Sequence, residues 1–197
     1  MNAVLKDNPI SVEDYLQGEL ISDIKHEYID GHVYAMAGAS TNHGRIASNV
    51  SGELRQHLKN LPRDVLIADF KVNVNRHKFF YPDVVVICDS NNADVYYTEK
   101  PLLIVEVLSN STQRKDRTLK RLAYQSLPSL QEYVLIEQDF VDVEVSRRSV
   151  NWDSHHYFLS DEVYFESLDL KLLVTEIYRR VDNEDMQEFL QANRQTN

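Results

Sequence analysis

The segment Leu102-Leu103-Ile104-Val105-Glu106-Val107-Leu108 is apolar at every position but one, and Val84-Val85-Val86-Ile87-Cys88 is apolar throughout. Runs of this kind lack the in–out alternation of a half-solvated strand, so both faces must be covered. A chain with two of them is confined to layered architectures, in which a sheet is packed on each side. The rest of the sequence supplies the covers. After the N-cap candidates Ser40-Thr41-Asn42, Ile46, Val50, Leu54, Leu58 and Leu61 recur at helical spacing and predict one buried helix face. Ser111-Thr112 predicts the cap of a second helix running to about residue 126, with Pro128 as its stop.

Other segments fill in the order. Ser11-Val12-Glu13-Asp14 reads as a capping box opening a short helix. Asp30-Gly31 predicts a hairpin turn between strands near 26–29 and 32–37. Residues 65–74 and 79–88 each read as one strand, and 133–136 as a further buried strand. The alternating stretch 141–147 reads as a half-exposed hairpin partner that, with the C-terminal region beyond the core, could also pair two subunits. Short antiparallel pieces are expected over 155–165, then a helix from about 169 to 180. The expected fold is an α/β sandwich, with a central mixed sheet flanked by helices, an N-terminal hairpin and a C-terminal β extension. Residues 1–181 form a single domain in this reading, and 182–197 a polar, acidic tail that is a short exposed helix or a frayed end.

Charge narrows the function. The 197 residues carry 21 Lys+Arg against 31 Asp+Glu, a net charge of −10. That opposes a protein coating polyanions with its whole surface, which needs excess cations to displace counterions. The balance is uneven: residues 114–121 hold five basic groups and one acid, whereas residues 137–169 hold nine acids and two arginines. The single cysteine, Cys88, has no disulfide partner within the chain and reads as a small buried hydrophobe. Residues 1–7 show no basic region followed by an apolar stretch, and no apolar run reaches membrane-spanning length, so a soluble, cytoplasmic protein is expected.

Glu106 is the informative exception in its strand. A lone ionised carboxylate there is costly to bury unless it is paired or binds a cation. Asp83 opens the other apolar run directly after Pro82, which cannot donate to a ladder and so marks a strand start or bulge. Two carboxylates from neighbouring strands are a minimal oxygen cage for Mg²⁺, which keeps several waters. The alternative account makes Glu106 the partner of a buried Arg or Lys, and Asp83 a turn residue. In the helix that follows, Asp116, Lys120 and Tyr124 share a face. An ammonium there could orient a metal-bound water or stabilise charge on a phosphate; the alternative is a solvated helix with an Asp116–Lys120 pair. The histidines have no metal-ligand spacing supported by cysteines, so no zinc site is expected.

Tyr81-Pro82-Asp83, Leu103-Ile104-Val105-Glu106-Val107-Leu108-Ser109, Asp116-x-x-x-Lys120 and Glu132-Tyr133-Val134-Leu135 occur in this order, preceded by Glu27-Tyr28-Ile29-Asp30-Gly31 and His43. Together they resemble the Uma family of putative restriction endonucleases, within the PD-(D/E)XK nuclease superfamily, over roughly residues 11–178. The resemblance implies a restriction-endonuclease-like fold and Mg²⁺-dependent (or Mn²⁺-dependent) hydrolysis of phosphodiester bonds in DNA, most readily double-stranded, by an enzyme that can act as a homodimer. It implies Asp83 and Glu106 as metal ligands. The superfamily's lysine two residues beyond the acid is replaced here by Leu108, and Lys120 matches the position from which the Uma family supplies it; Lys115 is the competitor. Glu27 matches a family acid that could serve as a further metal or water ligand, and the alternative is a surface strand residue. His43 matches a family position and otherwise caps or packs. The rival class is a catalytically inactive nuclease-fold protein acting as a nucleic-acid or protein interaction module.

Overall fold

The computed structural model describes residues 9–88 and 94–195. The chain runs α1 (Val12–Glu19), β1 (His26–Ile29), β2 (His32–Ala35), α2 (Thr41–Leu58), β3 (Arg63–Ile67), β4 (Lys71–Val74), β5 (Lys78–Phe80), β6 (Val84–Cys88), β7 (Tyr97–Thr98) and β8 (Pro101–Leu108). A continuous helical segment follows, made of α3 (Gln113–Lys115), a π-helical turn (Asp116–Lys120) and α4 (Arg121–Gln125). Then come β9 (Glu132–Glu137), β10 (Val143–Arg147), β11 (Ser154–Tyr157), β12 (Glu162–Phe165), β13 (Leu170–Leu173), α5 (Val174–Ile177) and α6 (Glu184–Gln195).

The larger sheet has the order β11-β10-β9-β8-β6-β3, and the two apolar runs are neighbours near its middle. It is mixed: β8 and β9 are parallel, and the other pairs antiparallel. Leu103, Val105 and Val107 of β8 pack on one face with Ile46, Val50, Leu54 and Leu58 of α2. Ile104 and Leu108 enter a second core with Phe80, Tyr124, Leu130 and Tyr133. Both faces are therefore covered, as the composition of the strand demands. Alternation puts Glu106 on the second face, toward the π turn.

A smaller sheet, β2-β1-β5-β4-β7, contains the N-terminal hairpin. Its turn has Asp30 at φ 48° and Gly31 at φ 92°, and a side chain at position 31 would meet Pro9 Cβ at 2.7 Å. Glycine is required there by both conformation and space. The Ser11 hydroxyl accepts from the Asp14 amide at 3.0 Å and starts α1, which covers this sheet through Tyr15 against Tyr28 and Phe79. A third, two-stranded sheet, β12-β13, with α5 closes the first core, giving the C-terminal β extension.

Several boundaries differ from expectation. Residues 65–74 are not one strand: β3 belongs to the larger sheet and β4 to the smaller, with Ala68 at φ 39° between them. Residues 79–88 divide likewise into β5 and β6 at Tyr81-Pro82-Asp83, so one stretch of chain crosses from sheet to sheet. The stretch expected as a helix over 169–180 is mainly β13 and a single helical turn, because 170–173 pair with 162–165. Strand β10 is an interior strand between β9 and β11 and is almost wholly buried, neither half-exposed nor free to pair a second subunit. Cys88 is exposed, since it ends β6 beyond the core. Helix α6 keeps Met186 buried, while Asp185 accepts from the Val141 amide at 2.7 Å. Residues 1–7, read for a leader, lie outside the described residues. Among the described residues no helix is long and apolar enough to cross a membrane.

Candidate active site

Glu106 is 3% exposed, and its Oε1 accepts from Lys120 Nζ at 3.0 Å and from the Tyr124 hydroxyl at 3.1 Å. Lys120, 4% exposed, also lies 2.9 Å from Glu27 Oε1 and 3.1 Å from Asp116 Oδ1. One ammonium thus faces three carboxylates from three elements. Lys115 pairs with the other oxygen of Glu27 and remains partly exposed. Both lysines stand near the Phe80 ring, at 5.8 Å for Lys120 and 5.9 Å for Lys115. The helix-face expectation for Asp116, Lys120 and Tyr124 agrees with this geometry. Of the two candidate lysines, Lys120 is the one that reaches Glu106. Glu27 is buried in the cluster and is no surface strand residue.

Asp83 sits where β6 begins. The register pairs Val84 with Val105, and one further step brings Asp83 opposite Glu106. Its Oδ2 accepts from the Val107 amide at 2.7 Å and lies 3.2 Å from His43 Nε2. The Ser40 hydroxyl accepts from the His43 amide at 3.1 Å, fixing the first turn of α2 and thereby the imidazole beside Asp83. Leu108 occupies the second core at 1% exposure, a position where a lysine would have to be buried among apolar side chains.

Residues 12–179 match the Uma2 family, described as "Putative restriction endonuclease". The chain belongs to that family. A relative in Synechocystis sp. (strain PCC 6803), the uncharacterized protein slr1290, is 36% identical over 174 residues, 86% of this chain and 92% of its own. A second from the same organism, the uncharacterized protein sll1609, is 35% identical over 140 residues, 68% and 78% of the two chains. Among solved structures, a putative nuclease belonging to DUF820 from Anabaena variabilis has a similar fold. Its TM-score is 0.71 at 17% identity, over 86% of this chain and 98% of that one.

Electrostatics of this Uma2 chain follow from the shared ammonium. Burial works against the charge on Lys120, but Glu106, Glu27 and Asp116 together hold its pKa well above the usual value. For Glu106, burial dominates and pushes the carboxyl well above its usual range; Lys120 pulls it down, while Asp116, Asp83 and Glu27 push it further up. Burial also raises Glu27, yet Lys120 and Lys115 outweigh it, and that carboxyl ends below its ordinary value. His43 is raised: burial opposes the charge, but the hydrogen bond and charge of Asp83 prevail. Among the described residues, Glu27 Oε1 and Asp116 Oδ1 have no partner but the shared Lys120 ammonium, at 2.9 and 3.1 Å.

The neighbouring pair of arginines, with its acidic partners, was missed by sequence reasoning. Arg117 and Arg121, read only as part of a basic stretch, turn away from Glu106 and bond Glu137 and Glu144 instead. The alternation of 141–147 marks Glu144 as facing away from Val143 and Val145, and that was its one available signal.

Proposed function

We propose that this chain is an endonuclease that hydrolyses phosphodiester bonds in DNA with the help of Mg²⁺ or Mn²⁺. The observation that carries the reading is the convergence of buried Glu106 and Lys120 beside Asp83, at the seam between two sheets. Four carboxylates (Glu27, Asp83, Glu106 and Asp116) gather there against the ammoniums of Lys115 and Lys120 and the imidazole of His43. Such an excess of hard oxygen donors over cationic groups fits a divalent cation. Among the described residues no group of three or more His, Cys, Asp or Glu forms a ready metal cage. Mg²⁺ is commonly held by one or two carboxylates together with waters and substrate phosphate.

Asp83 and Glu106 would hold the cation, which when bound supplies Lewis acidity toward the phosphate and a more acidic water. The chain's own groups do the rest. Lys120, its proton held by three carboxylates, is a donor in this arrangement and is suited to orient a water or stabilise charge on a phosphate oxygen. Tyr124 fixes the Glu106 carboxylate from the other side. His43 and the Val107 amide hold Asp83 at the mouth of the strand pair.

The rival is a nuclease-fold module that binds nucleic acid or protein without cutting. It is favoured by one fact: each candidate ligand is already engaged by the chain's own donors, Glu106 by Lys120 and Tyr124, and Asp83 by His43 and Val107. Nicking of supercoiled plasmid with Mg²⁺ or Mn²⁺ separates the two. Wild type should nick, while Glu106→Ala and Lys120→Ala should lose on the order of 10²-fold or more in rate. Equal nicking by all three, or none by wild type, overturns the enzyme. DNA affinity should rise on adding Mg²⁺ to wild type and stay flat in Asp83→Ala.

A further inference from the structure

A second ionic cluster lies on the other side of the helical segment that carries Lys120. Its centre is Glu144 on β10, 5% exposed, standing opposite Leu135 of β9 and His156 of β11. The two oxygens of Glu144 are divided between two arginines. Oε2 accepts from Arg117 Nη1 at 2.6 Å, and Oε1 accepts from Arg121 Nη2 at 2.5 Å. The Ser154 hydroxyl donates to the same Oε1 at 2.6 Å and accepts from Arg121 Nη1 at 3.2 Å. Arg117 Nη2 also donates to Glu137 Oε1, at 2.7 Å, where β9 ends.

The placement of these arginines matters more than their number. Arg117 lies inside the π turn, and Arg121 is the residue directly after Lys120. A π turn is a rare conformation, wider than the α-helix and poorly sustained by local propensity, so contacts outside it must hold it. Inward, the turn presents Asp116 and Lys120 to Glu106 and Glu27. Outward, it is gripped by one carboxylate on both sides of Lys120. We propose that Glu144 is a positioning residue for the candidate active site, clamping Arg117 and Arg121 so that the π turn delivers Lys120 to Glu106 and Glu27. This deepens the nuclease reading and rests on it for its catalytic consequence, while the geometric part stands on the clamp alone.

The test uses the full chain carrying Glu144→Gln, which keeps shape and loses the charge, and Glu144→Asp, which keeps the charge on a shorter arm. Three quantities are measured: amide hydrogen exchange over residues 117–121, the ¹⁵Nζ resonance of Lys120, and kcat and KM for plasmid nicking. In Glu144→Gln the amides should exchange about tenfold faster or more, and the Lys120 resonance should shift. Its kcat should fall on the order of 10- to 100-fold, with KM within about twofold. Glu144→Asp should recover part of each. Should Glu144→Gln fail to fold, Arg117→Lys serves in its place, because an ammonium cannot bridge Glu137 and Glu144 as the guanidinium fork does. Unchanged exchange and an unshifted Lys120 resonance overturn the proposal. So does a lowered kcat without either change, or a Glu144→Asp variant no better than Glu144→Gln. If wild type cuts no DNA, the nuclease reading fails, and exchange with the Lys120 resonance still decides whether Glu144 positions the lysine.

Discussion

Two clusters of paired acids and bases flank one helical segment, and they are built to opposite ends. Outward, Arg117 and Arg121 meet Glu137 and Glu144, two guanidiniums against two carboxylates, with Ser154 as a fifth member. Inward, Lys120 and Lys115 meet Glu27, Glu106 and Asp116, with Asp83 one strand away. The outward cluster is balanced, and Arg121 Nε is its one buried orphan among the described residues. The inward cluster sets three carboxylates against two ammoniums, with Lys120 shared among all three. A balanced buried cluster fixes shape; an unbalanced one retains an appetite for further positive charge.

The largest effect should come from removing the inward cation. Lys120→Met leaves three buried carboxylates without their shared partner and should cost about 4 kcal/mol in urea unfolding. A loss under about 1 kcal/mol would mean that the acids are solvated and the inward cluster is ordinary. Next, Glu144→Gln should cost about 2 kcal/mol, by stripping charge from two arginine contacts. Its pH dependence has a defined sign. Burial raises the Glu144 pKa, but Ser154, Arg121 and Arg117 together hold the carboxyl below its ordinary 4.5. Its contribution is therefore present above that value and disappears as the pH falls through the lower, folded pKa. The stability gap between wild type and Glu144→Gln should be flat near neutrality and close in acid below pH 4.5.

Glu106→Gln reverses the sign. Neutralising one of the crowded acids should stabilise the metal-free protein by about 1 kcal/mol while abolishing cleavage, since functional sites commonly sacrifice stability. Destabilisation by Glu106→Gln would erase the distinction between the clusters. The smallest effect belongs to an exposed pair: Arg179→Ala, which removes the 3.0 Å contact to Glu176, should change stability by less than about 0.5 kcal/mol.

What the sequence disclosed follows the same division. The apolar strand around Glu106 announces itself, because a carboxylate among six aliphatic residues has few explanations. The Asp30-Gly31 turn and the four-residue spacing of Ile46, Val50, Leu54 and Leu58 are equally local signals, and the structure agrees with them, whereas Leu61, read onto the same face, lies beyond the end of α2 and is exposed. Sheet membership is not local. Nothing within 65–74 says that β3 and β4 belong to different sheets; that depends on Ala68 adopting a left-handed conformation and on partners far along the chain. The sequence likewise offers Leu170 to Leu173 as helix, and pairing with β12 overrides it. At the site, the alignment of Asp116, Lys120 and Tyr124 was legible from a helical period. The burial of Glu27 and the clamp at Glu144 were not, since each depends on a lysine or arginine arriving from a distant segment.

Glu27 belongs to the smaller sheet and Glu106 to the larger, and the same ammonium touches both. Lys120 is thus a rivet between the sheets as well as the donor of the proposed chemistry. Any ligand that draws the lysine toward itself also loosens the joint between the sheets, so occupancy of the site should be felt as a change in stiffness along the Tyr81–Asp83 crossover. In the proposed enzyme, chemistry and mechanics share one atom, and neither can be tuned without the other.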